Sequence, residues 1–112
     1  MLTKNNILTG LLVNIFLFVP PSVALDIGTR IHNEAGFTKI ELSAMQEMGW
    51  SNKRLVKYAD IACGYIVNGK LNSLQSLYRY YFGNYNPSKE PHIKHSLRKI
   101  HDWAKKQPEC SV

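Results

Sequence analysis

Two cysteines, Cys63 and Cys110, constrain this 112-residue chain more than any other feature. A pair of cysteines allows one intramolecular bridge and no choice of connectivity. Such a bridge would close a loop of about 48 residues, worth about 4 kcal/mol in the loop-entropy account. It would also fix the C-terminal "PEC" against the middle of the chain. Whether the thiols meet an oxidant depends on the compartment, and the N-terminus speaks to that.

"MLTKN" supplies a short basic start at Lys4, "ILTGLLVNIFLFV" a thirteen-residue apolar run, and "PPSVALD" small residues at Ser22 and Ala24. This is the layout of a secretory signal peptide, with cleavage expected after Ala24. The apolar run is shorter than the roughly 20 residues that span a bilayer. Pro20 and Pro21 are expected to end any helix there. The expected organisation is a signal peptide over 1–24 and one domain over 25–112, in a periplasmic or secreted protein with no stable membrane insertion after cleavage. Loss of Lys4 lowers the net charge from +6 to about +5. A domain of about 88 residues has a limited core, which a disulfide commonly reinforces in exported proteins.

Glycine and proline divide the rest into four short helices. "FTKIELSAMQEM" spaces Phe37, Ile40, Ala44, Met45 and Met48 helically and ends before Gly49. Ser51 suits the N-cap of "NKRLVKYADIACGYIVN", which stops at Gly69. Asn72 or Ser73 caps "LQSLYRYYF", which stops at Gly83. After the loop "NYNPSKEP", Ser88 with Pro91 opens "HIKHSLRKIHDWAKKQ", which Pro108 ends. The expected fold is all-α, a small bundle of about four short helices with one disulfide.

At 100° per residue, Leu55, Ala59, Ala62 and Ile66 form a core stripe on the second of these helices, with Cys63 at its half-buried edge. Tyr58 and Tyr65 flank the stripe. Gly64 falls opposite, with Lys57 and Asp60, on a face outside the core; either another backbone approaches there or the glycine is tolerated without a role. On the last helix Ile93, Leu97, Ile100 and Ala104 form the apolar stripe, with Trp103 at its margin. Lys94, Arg98, His101 and Lys105 form a basic row beside it, a solvated face or a contact for something anionic.

Catalytic and metal-binding patterns are sparse. His92 and His95 are three apart, but no acid or free cysteine joins them at a ligating spacing, so neither a metal nor a cofactor is expected. "GxSxG" and "HExxH" are absent from the sequence. A Cys63–histidine nucleophile pair loses out to oxidation of both thiols, and no spacing favours any pair of carboxylates. The expectation is a protein that is not an enzyme. "SLYRYYFGNY" concentrates Tyr78, Arg79, Tyr80, Tyr81, Phe82 and Tyr85. Tyr78 and Tyr81 fall with Leu74 and Leu77 on the core face. Arg79, Tyr80 and Tyr85 are left for contact, and tyrosine and arginine are enriched at interface hot spots. Interleaved bases and aromatics also suit single-stranded nucleic acid, but an exported protein rarely meets it.

Through "CGYIVNG" and "PEC" the chain resembles the small periplasmic immunity proteins of type VI secretion systems, the Rap/Tai group. Cys63, Gly64, Tyr65, Gly69, Pro108 and Cys110 match that outline over about half of residues 25–112. Three habits of the group are missing: a residue between the cysteine and Gly-Tyr, an acid after the later glycine, and further cysteines. The resemblance implies an all-helical inhibitor, often a homodimer, that occludes a toxic cell-wall-degrading effector. Tyr65, Arg79, Tyr80 and Tyr85 are then the expected anchors, with Lys94, Arg98 and Lys105 steering an acidic protein partner. The chain is also similar in outline to acid-stress periplasmic chaperones, small exported helical proteins with one disulfide. That alternative needs carboxylates whose protonation loosens the fold.

Overall fold

The computed structural model describes residues 21–69, 71–83 and 90–110, with side chains from residue 27 onward. It is all-α. The helices are α1 (Pro21–Glu34), α2 (Lys39–Glu47), α3 (Asn52–Val67), α4 (Ser73–Phe82) and α5 (Pro91–Lys105), followed by a 3-10 turn, Pro108–Cys110. The expected signal peptide lies largely outside the described residues, as do Tyr85 and the expected N-cap Ser88.

Local chemistry sets most of the boundaries. Thr38 caps α2 through a complete capping box: its hydroxyl accepts from the Glu41 N–H, and Glu41 accepts from the Thr38 N–H at 2.8 Å. Ser51 caps α3 by accepting from the Arg54 N–H. Gly49 and Gly69, which follow α2 and α3, both take φ of +74°, where a side chain would be strained. Pro91 stands in the first turn of α5, where its missing N–H costs nothing.

The expected helix count is corrected from four to five. The added helix is α1: Pro21 does not break it but is its first residue, the position that tolerates proline. Ala24, the expected cleavage point, falls inside α1. Further along, Ile31 is fully buried and belongs to the core.

α3 is the central element. α1, α4, α5 and the 3-10 turn all pack on it, and α5 also packs on α2 and α4. Leu55, Ala59 and Ala62 are buried as the stripe requires, while Ile66 is only half-buried. The face expected to lie outside the core is corrected as well. Lys57 is exposed, but Gly64 and Asp60 are buried, because neighbours cover α3 on more sides than one stripe provides for. Cys63, expected at a half-exposed edge, is fully buried, as is Cys110. The two form the disulfide, with Cα atoms 5.2 Å apart. It joins the 3-10 turn to α3.

Ile93, Leu97, Ile100 and Ala104 of α5 are all buried, with Trp103 beside them. Polar contacts lash α1 and α2 to this helix and to the segment just after it. The Trp103 Nε1–H donates to Glu34 Oε1 at 2.9 Å, and Arg30 Nη2 donates to Gln107 Oε1 at 3.2 Å. Lys99 forms an ion pair with Glu41 and donates to the Gly36 carbonyl at 2.9 Å.

Candidate functional site

The side chains singled out as contact residues do not converge on one patch. Arg79 and Tyr80 are exposed on the outer side of α4, and Tyr80 keeps 48% of its surface in solvent. Their neighbours Tyr78, Tyr81 and Phe82 turn inward as the helical period demands. Tyr81 joins Trp50 and Tyr58, each ring centroid 5.0–5.5 Å from the others, in an aromatic cluster where α4 meets α3. Arg54 edges that cluster. Its guanidinium donates to the Tyr58 hydroxyl at 2.9 Å, which raises its pKa above the ordinary arginine value.

The cations of α5 lie elsewhere. Lys94 is half-buried, its Nζ 5.5 Å from the centroid of the Tyr78 ring. Burial pushes the Tyr78 hydroxyl pKa up, against the opposing pull of the Arg98 charge. Arg98 itself is exposed. Lys105 is exposed one face further on, and Tyr65 is half-buried on α3. Three of the expected steering residues therefore line one helix, but two of them attend Tyr78 and the third attends a different feature.

That feature is a cleft of about 340 Å³ at the N-terminus of α4, lined by Leu71, Asn72, Ser73, Leu74, Gln75, His101 and Lys105. His101 is the third correction. The helical period puts it in the basic row of α5, yet it is buried, 5% exposed. Its Nε2 lies 2.7 Å from Ser73 Oγ and its Nδ1 lies 2.9 Å from Asp102 Oδ1. A carboxylate only accepts, so Nδ1 is the donor to Asp102; in the neutral imidazole Nε2 is then left as the acceptor for the Ser73 hydroxyl. Asn72, the N-cap of α4, makes no side-chain capping bond. Leu71, on the rim, is 98% exposed. The His101–Asp102 adjacency was visible in the sequence. The approach of Ser73 was not, since it comes from another helix.

A larger groove, about 490 Å³, opens at the α2–α3 turn among His32, Leu42, Met45, Gln46, Trp50 and Leu55. It contains none of the expected contact residues. Among the described residues, no group of three or more histidines, cysteines and acids could hold a metal ion, and no helix is long and apolar enough to cross a membrane. No family model matches the chain, nor does any curated protein or solved structure.

Proposed function

We propose that this is a periplasmic protein that works by binding another protein, as an immunity-type inhibitor that occludes the cleft of a toxic cell-wall-degrading effector. The observation that carries the reading is the exposure of Tyr80 and Arg79 on α4. Both are interface-favoured residue types, and both are exposed among the described residues. Lys94, Arg98 and Lys105 add one sign of charge along α5, which speeds encounter with an acidic partner. The bridge Cys63–Cys110 suits an oxidising compartment.

The reading expects a toxin gene next to this one, and periplasmic co-expression of the two proteins tests it. Arg79→Ala and Tyr80→Ala should each weaken rescue while leaving the melting temperature unchanged. Rescue that is indifferent to both substitutions, or a failure of the unaltered protein to rescue, overturns it.

The acid-stress chaperone reading has its own support in Glu34 and Glu41. Glu34 anchors α1 to Trp103 of α5, and Glu41 anchors α2 to Lys99 of the same helix. Protonation of both would release two helices from α5 and leave the basic charge unbalanced. Suppression of client aggregation near pH 3 but not at neutrality would favour this reading over inhibition.

A further inference from the structure

The geometry points to Ser73 as an acyl-accepting nucleophile, with His101 as its base and Asp102 as the residue that orients the base. This inference goes beyond the binding reading and does not depend on it. Three observations support it. The Ser73 hydroxyl is 2.7 Å from His101 Nε2, within the reach that proton transfer needs. His101 Nδ1 is 2.9 Å from Asp102 Oδ1, which selects the tautomer with a free lone pair on Nε2. Finally, the serine and the imidazole both line a cleft rather than a packed interior.

The cleft also offers what acyl transfer needs next. Ser73 is the first residue of the ten-residue helix α4. The N–H of Ser76 is taken by the Asn72 carbonyl at 2.9 Å, whereas Leu74 and Gln75 precede it and have no intrahelical acceptor. These first-turn N–H groups, at the positive end of the helix dipole, are the donors the inference assigns to an oxyanion forming on a carbonyl attacked by Ser73 Oγ. Leu74 gives the cleft apolar wall, Leu71 an exposed apolar rim, and Lys105 a cation. The substrate class is an ester with a short acyl chain, and a negative charge on either half would be favoured by Lys105.

In the reaction, Ser73 Oγ attacks the ester carbonyl carbon and its proton passes to His101 Nε2. The carbonyl–alkoxy bond then breaks, and the leaving alcohol takes that proton. Water attacks the acyl-serine by the same route, with His101 accepting a proton from water and returning it to Ser73 Oγ as the acid departs. Water is the sole co-reactant. Asp102, with a side chain 55% exposed, is a positioning residue whose loss affects the base rather than the bond-making atom.

The test uses the oxidised full-length protein with p-nitrophenyl acetate and butyrate, and with a fluorophosphonate probe followed by peptide mass spectrometry. The expected result is a probe adduct on Ser73 and ester hydrolysis that falls at least about tenfold in Ser73→Ala and His101→Gln. Ser73→Cys keeps the contact with His101 and should retain an acylatable group, which covers the case in which alanine disturbs the fold. Asp102→Asn should lower the rate and shift its pH profile, which a purely structural role would not do. Hydrolysis unchanged in Ser73→Ala would assign the activity to exposed imidazoles such as His92 and His95. That result overturns the inference, as does a wild-type Ser73 that takes no adduct.

Discussion

The backbone of α1 touches α3 at Gly28 and Asn52. A Cβ built on Gly28 would stand 2.6 Å from both the Asn52 Cβ and the Asn52 carbonyl oxygen. The Thr29 hydroxyl accepts from Asn52 Nδ2 at 3.2 Å beside the same contact. No Cβ fits at that distance, and neither atom belongs to the free end of a flexible side chain. Replacing Gly28 with alanine should therefore destabilise the protein by about 1–3 kcal/mol through overpacking, despite the better helix propensity of alanine. Denaturant unfolding of the variant checks this, and a stabilised Gly28→Ala protein would show that α1 does not dock there.

Ile31 has no exposed surface, whereas Ile40, on α2, keeps 59%. Ile31→Ala should cost about 2–5 kcal/mol from lost burial and the residual cavity. Ile40→Ala should change stability by less than about 0.5 kcal/mol. Thermal melts of the two variants, measured side by side, test whether α1 is part of the cooperative unit.

Glu41 sets an acid limit on stability. Burial pushes its pKa up, but hydrogen bonds from Lys99 and from Thr38 outweigh burial and hold it below the ordinary glutamate value. Because folding lowers this pKa, the ionised form stabilises the native state. That contribution is complete above the unfolded value, about 4.3, and is lost as pH falls through the lower folded value. Glu34 acts in the same direction, through the Trp103 N–H and Arg30. Glu41→Gln should cost about 1–2 kcal/mol at neutral pH and flatten the acid limb of the melting-temperature profile.

Reduction of Cys63–Cys110 should cost about 2–5 kcal/mol, because it frees a long loop in the unfolded chain. The same loss should appear in a Cys63→Ala/Cys110→Ala double variant. Melts with and without dithiothreitol measure it. Both sulfurs are fully buried, so reduction should require prior unfolding or strong reductant, and mass spectrometry of the native protein should find no free thiol.

The chain alone determined α2 to α5, since each carries its own record. The apolar period of α5, Ser51 at the start of α3 and Gly69 beyond its end act within a few residues and need no neighbour. The bridge was equally legible, because two cysteines leave one pairing. Tertiary structure decided which faces those helices cover. Asp60 and Gly64 point away from the main stripe of α3 and are nevertheless buried, because α3 has partners on several sides. It also decided that α1 is a structural helix, and that the serine of α4 meets the histidine of α5. Helical periodicity describes rotation about a single axis, whereas such meetings depend on where a second axis lies. Only packing sets that.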